Sequence, residues 1–126
     1  MGLRIETVTI DAVDPEALAA FWCAALDWVR RVDEDGDIWI EPGDDHPDAG
    51  RVRPLLLMRV PDDKAGKNRL HLDLVPDDQE REVERLEALG ATRPNIGQTG
   101  NESWVVLADP EGNEFCVLDE EDPVQD

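Results

Sequence analysis

The stretches Asn68-Arg-Leu-His-Leu-Asp-Leu74 and Trp104-Val-Val-Leu-Ala-Asp-Pro-Glu-Gly-Asn-Glu-Phe-Cys-Val-Leu118 decide the fold of this chain. Both contain strand patterns, in which successive side chains point to opposite faces of a sheet. His71 lies on the first predicted strand and Glu114 on the last. Imidazole nitrogen and carboxylate oxygen together suit divalent transition metals. The two stretches therefore predict strands that carry one potential metal ligand each.

The second half of the chain predicts one strand, one helix and then three more strands. The predicted strands lie at residues 69–75, 91–96, 103–108 and 113–118. The helix begins after Asp77 or Asp78, either of which suits the N-cap, and ends at Gly90, a residue that favours helix termination. Residues 109–112, Asp-Pro-Glu-Gly, predict a turn between the last two strands.

The first half repeats this order of elements. Its predicted strands lie at residues 3–11, 28–33, 37–41 and 54–60. Its helix opens at Asp14-Pro15, where aspartate suits the N-cap and proline the first helical position. Thr7 and His71 each stand seven residues before the aspartates Asp14 and Asp78. The repeat predicts an internally duplicated α+β module of about sixty residues, with two sheets around a shared cleft.

We therefore expect an α+β fold of two paired βαβββ modules that form a half-open barrel around a cleft. The predicted single domain spans residues 1–118, with modules at about 3–60 and 68–118, and an acidic C-terminal tail at 119–126. The chain has 126 residues, which is the size of one ordinary domain.

Charge restricts the classes of partner. The chain has 12 basic and 31 acidic residues and a net charge of −19. Nucleic acid and anionic membrane surfaces are disfavoured, because both need cationic contacts, whereas a cationic small molecule is compatible. No apolar run is long enough to span a membrane, and no leader is evident, so we expect a cytoplasmic protein. Cys23 and Cys116 have no knuckle or redox spacing and are expected to be buried thiols.

Three segments resemble the vicinal oxygen chelate superfamily, which includes glyoxalases, bleomycin resistance proteins and dioxygenases, and in particular its bacterial glyoxalase-like domains. They are residues 14–22, 67–74 and 104–118, in the family's order. The resemblance implies a small-molecule cleft and a homodimer. In metal-using members it also implies four ligands from four strands, and a metal that binds neighbouring substrate oxygens and stabilises an oxyanion as a Lewis acid.

Carried onto this chain, the family's pattern keeps two of the four ligand positions. They fall on His71 and Glu114, whereas the other two fall on Thr7, or Thr9 in a shifted register, and on Met58. Hydroxyl and thioether groups are poor ligands for the metals of this chemistry, and a catalytic site usually keeps three protein ligands. The resemblance thus implies an incomplete site for Zn, Ni, Mn or Fe, or no cofactor at all.

Several other residues are candidates for contacting a ligand. Asp11 and Asp73 share strand faces with the candidate metal ligands, and Trp39 and Trp104 are candidates for an apolar wall. Arg69 shares a strand face with His71. It also forms a basic cluster with Lys64 and Lys67, and this cluster either binds an anionic group or is a solvated connector.

Two main hypotheses follow for the function. The first is a domain that binds or sequesters a small compound, with cations among the compatible ligands. The alternative is a divalent-metal-dependent lyase, isomerase or dioxygenase, with His71 and Glu114 as ligands or catalytic groups and Glu114 as a candidate general base. A third interpretation is a structural domain without a ligand.

Overall fold

The computed structural model describes residues 2–94 and 102–119. This part of the chain forms seven strands and two helices. The elements are β1 (Val8–Ala12), α1 (Pro15–Leu26), β2 (Val29–Val32), β3 (Ile38–Glu41), β4 (Leu55–Arg59), β5 (Leu72–Leu74), α2 (Gln79–Leu89), β6 (Val105–Ala108) and β7 (Glu114–Val117). They divide into two compact units between Asp63 and Lys64.

The first unit is a four-stranded sheet, in the order β1-β4-β3-β2, that packs against α1. Helix α1 begins as predicted, because Asp14 Oδ1 accepts a hydrogen bond from the Ala17 N–H at 3.1 Å and Pro15 follows it. The core lies between the helix and one face of the sheet. Its fully buried side chains include Leu18, Trp22, Ile38, Ile40 and Leu57.

The second unit is a three-stranded sheet, in the order β5-β7-β6, with α2 against it. Asp78, rather than Asp77, is the N-cap of α2, since its Oδ1 accepts from the Arg81 N–H at 3.2 Å. Gly90 ends the helix with φ of 122°, a backbone conformation that glycine adopts without a steric cost. The core of this unit includes Val83, Leu86, Leu107, Phe115 and Val117.

The two units share a feature of topology, because the first strand of each pairs in parallel with the last strand of the same unit, β1 with β4 and β5 with β7. This arrangement confirms the predicted α+β fold of paired modules. The described strands form two separate sheets rather than a closed barrel.

The strands differ most from the predictions in three places. Strand β1 begins at Val8, and Leu3 and Ile5 are exposed, because β4 offers partners only from Leu55, opposite Val8. Strand β5 has three residues, and His71 lies just before it instead of within it. The strand predicted at 91–96 is reduced to one bridge between Thr92 and Ala108 among the described residues, and its last two positions lie outside them.

The predicted tail lies outside the described residues from position 120 onward. Neither α1 nor α2 has the length and apolar character of a membrane-crossing helix, and these are the helices of the described ranges.

Candidate functional site

The candidate site lies on the face of the second sheet that is turned away from α2. Asp73 of β5 pairs with Cys116 of β7, and Cys116 pairs with Val106 of β6, so these three side chains share one face. Their neighbours Phe115 and Val117 point to the other face and are buried. The alternation of the strands thus separates a core face from a polar face.

An open pocket of 510 Å³ lies on this polar face. Its polar and charged lining comes from Lys67, His71, Asp73, Glu102, Glu114 and Cys116. Its apolar wall includes Trp104, Val106 and Leu118. The pocket therefore combines acidic groups with an aromatic surface, and it is formed by the second unit alone.

Glu114 is buried, with only 7% of its surface exposed, and both of its carboxylate oxygens are occupied. Oε2 accepts a hydrogen bond from Lys64 Nζ at 2.9 Å, and Oε1 accepts from the Asn68 N–H at 2.6 Å. Burial raises the pKa of this carboxyl. The hydrogen bonds from Asn68 and Lys64, with the positive charges of Lys64 and Lys67, outweigh that effect and hold the pKa below its usual range. The group is therefore a paired carboxylate at neutral pH, which makes it a weak base.

Lys64 makes this ion pair from the connector between the two units. Its side chain is 21% exposed, and its ammonium also donates to the Gly66 carbonyl. The sequence placed Lys64 in a basic cluster for an anionic group or solvent, whereas the structure places it against Glu114. The scarcity of basic residues in this acidic chain is a sequence signal that draws attention to Lys64. It does not identify Glu114 as the partner, because the two residues are fifty positions apart.

His71, Asp73 and Cys116 form a second cluster on the same face. His71 Nε2 lies 3.2 Å from Asp73 Oδ1, and the two side chains are 44% and 50% exposed. Cys116 hydrogen-bonds to Asp73 through its thiol. Burial, followed by the charge and hydrogen bond of Asp73, raises the pKa of Cys116 to about 11, against an opposing effect of Lys67. Cys116 is therefore a protonated thiol at neutral pH.

The candidates of the first unit lie on the face of their sheet that is turned away from α1. Asp11 pairs with Met58, and both Thr9 and Trp39 pair with Leu56. Met58, Thr9 and Asp11 are exposed.

Thr7 and Trp39 of this unit already have hydrogen-bond acceptors. Thr7 Oγ1 donates to the Pro54 carbonyl at 2.9 Å. Trp39 Nε1 donates to Asp33 Oδ2 at 2.8 Å, and the guanidinium of Arg31 lies over its ring at 5.1 Å from the centroid.

The structure thus brings together four of the predicted residues, His71, Asp73, Trp104 and Glu114, around one pocket. Arg69 is exposed and precedes β5, and it is not among the described residues that line the pocket. Cys116 was predicted to be a buried thiol and instead lies at the pocket surface. Its position on the same strand face as Glu114, two residues along, is the sequence signal that would have found it.

The family model of the glyoxalase-like domain matches residues 7–118. The chain therefore belongs to this family. Comparison with curated proteins finds no significant match.

Solved structures show the same fold. The fosfomycin resistance protein FosX from Mesorhizobium loti has a TM-score of 0.65 and 18% identity, over 94% of this chain and 92% of that one. FosX from Listeria monocytogenes, complexed with Mn(II) and a dihydroxypropylphosphonic acid, has a TM-score of 0.65 and 14% identity, over 94% and 90%. An enzyme described as a member of the glyoxalase/bleomycin resistance protein/dioxygenase family, from Burkholderia phytofirmans, has a TM-score of 0.66 and 19% identity, over 89% of this chain and 94% of that one.

The metal pattern implied by the family does not fit the residues of this chain. The carboxylate at Glu114 is neutralised by Lys64 and hydrogen-bonded by Asn68, so a metal ion would have to displace both partners. His71 Nε2 is directed to Asp73. The remaining positions hold threonine and methionine, which are poor ligands for such metals.

Proposed function

We propose that this glyoxalase-like domain binds a small organic molecule in the pocket of the second unit, without a metal ion between His71 and Glu114. The observation that carries the proposal is the ion pair of Glu114 with Lys64 at 2.9 Å. A lysine ammonium supplies the positive charge that a metal ion supplies in metal-using relatives, and it offers no open coordination position.

The lining of the pocket supports a cationic ligand with an apolar part. Trp104 and Val106 offer an apolar wall, and Asp73 offers a half-exposed carboxylate at its edge. Aromatic faces and carboxylates are the groups that attract organic cations. The volume of 510 Å³ is within the range of small-molecule pockets, and the net charge of −19 draws cations toward the chain.

The test is a calorimetric titration with an aromatic ammonium ion, phenyltrimethylammonium, against its neutral isostere tert-butylbenzene and against benzoate. We expect the cation to bind, the affinity to fall as salt rises, and the Asp73→Asn variant to lose most of it. Asp11→Asn is the matched control, since Asp11 is an exposed strand carboxylate of the first unit. Equal binding of the three probes, or equal loss in both variants, would refute the proposed specificity.

The alternative is a metal-dependent lyase, isomerase or dioxygenase, with Glu114 and His71 as its catalytic groups. The similar fold of Listeria monocytogenes FosX, whose structure is a complex with Mn(II), favours it. The Lys64 ammonium counts against it, because Glu114 is then neither a free ligand nor a strong base. The homodimer and the cytoplasmic location stay predictions.

A further inference from the structure

The side chains of His71, Asp73 and Cys116 bring one nitrogen, one oxygen and one sulfur atom together at the pocket. These three atoms lie within 4.8 Å of one another. Asp73 and Cys116 come from two paired strands, because Asp73 of β5 is the register partner of Cys116 of β7. His71 lies two positions before Asp73, immediately before β5 begins. The backbone pairing therefore sets the spacing of Asp73 and Cys116, and the chain entering β5 places His71 beside them.

The spacing of the imidazole nitrogen and the carboxylate oxygen is close to what a tetrahedral ion requires. Zinc bonds of about 2.0–2.3 Å to nitrogen, oxygen and sulfur place the ligand atoms about 3.4–3.6 Å apart. His71 Nε2 and Asp73 Oδ1 are already 3.2 Å apart. Both side chains are about half exposed, so small rotamer changes can bring the cluster to that geometry without moving the core.

The chemistry of the three atoms selects the kind of ion. A thiolate and an imidazole favour zinc-class transition metals over Mg²⁺ and Ca²⁺, which take oxygen ligands. One thiolate and one carboxylate balance the charge of a divalent ion. Two charged groups lie near the three ligand atoms. Glu114 is already neutralised by Lys64, and the positive charge of Lys67 repels a metal ion but favours the thiolate form of Cys116.

We infer that His71, Asp73 and Cys116 bind one zinc-class divalent metal ion, with its fourth position open toward the pocket. On binding, the Cys116 S–H bond breaks, a sulfur–metal bond forms and the proton passes to solvent, with no change of oxidation state. The site shares His71 with the pattern implied by the family, but it does not use Glu114. Its sulfur ligand, Cys116, lies two residues after Glu114 on the same face of the same strand. It does not depend on the proposed organic ligand.

The test is titration of the reduced, untagged full chain with Co²⁺, followed by absorption spectroscopy. Cobalt bound by a thiolate gives a sulfur-to-metal charge-transfer band in the near ultraviolet, which oxygen and nitrogen ligands do not give. We expect one equivalent of Co²⁺ to produce this band and Zn²⁺ to abolish it. His71→Ala and Asp73→Asn should each lower the affinity more than about tenfold, given that even outer-shell partners contribute 10–100-fold.

Cys116→Ser should remove the band, whereas Cys23→Ser, the matched control on α1, should keep it. Circular dichroism of each variant establishes that it is folded. The inference is overturned if folded parent protein takes up no Co²⁺ in large excess, if the band survives Cys116→Ser, or if uptake lacks a thiolate band and is lost in Glu114→Gln. Because no organic ligand is present, a negative result leaves the proposed small-molecule binding intact, and a failure of the organic probes leaves the metal test intact.

Discussion

Replacing Lys64 with methionine tests the contact on which the functional argument depends. The substitution keeps most of the side-chain volume and removes the ammonium that lies 2.9 Å from Glu114 Oε2. Glu114 is 7% exposed, so water can replace the ammonium only partly. The carboxylate keeps one hydrogen bond, from the Asn68 N–H at 2.6 Å.

The magnitude follows from these contacts. A hydrogen bond to a charged group contributes about 1.5–3 kcal/mol, and a fully buried charge left without a partner costs about 3–5 kcal/mol. Because Asn68 remains and Lys64 is one-fifth exposed, we expect Lys64→Met to lower the free energy of unfolding by about 2 kcal/mol at neutral pH. Lys67→Met is the matched control, because Lys67 is an exposed lysine directly before Asn68 whose charge also favours the Glu114 carboxylate. Solvent screens the charge of an exposed lysine, so we expect a change under about 0.5 kcal/mol.

The effect should depend on pH with a definite sign. The pKa of Glu114 is lowered in the folded chain from 4.5, so its contribution is fully present above that value and is lost as pH falls through the folded pKa. The difference in stability between the parent and Lys64→Met should therefore shrink once the pH drops below the ordinary carboxyl range.

Urea unfolding, followed by tryptophan fluorescence at neutral and acidic pH, measures both quantities. The Lys64→Met/Glu114→Gln double variant completes the cycle and isolates the coupling of the pair. A loss below about 0.5 kcal/mol at neutral pH, or a loss that does not shrink in acid, would refute the ion pair and the metal-free pocket that we build on it.

Two further predictions concern the helix cap and the pocket. Asp78→Ala should lower the free energy of unfolding by about 1 kcal/mol, because it removes the hydrogen bond from the Arg81 N–H, whereas Asp77→Ala should have little effect. Thermal unfolding of the two variants compares them, and equal effects would contradict the assignment of Asp78 as the cap. Zn²⁺ should weaken the binding of phenyltrimethylammonium to the parent chain but not to Cys116→Ser, because the metal ion and the organic cation both use Asp73. Calorimetric titration with and without Zn²⁺ measures this difference. An unchanged affinity in zinc-saturated protein would contradict a shared carboxylate.

Local patterns in the sequence determined much of this protein. Strand alternation, the aspartate at each helix start and the repeat of the two halves predicted the α+β modules, because these features depend on neighbours a few residues apart. The same patterns located His71 and Glu114 and the aromatic wall at Trp104.

The tertiary structure alone decided what those residues contact. Strand pairing across more than forty residues placed Cys116 beside Asp73, and the connector brought Lys64 to Glu114 across fifty positions. It also shortened β1 and β5, since a strand extends only as far as its partner continues. Long-range pairing and burial leave no periodic trace in the sequence, and they determine which carboxylate is neutralised and which remains available to a ligand.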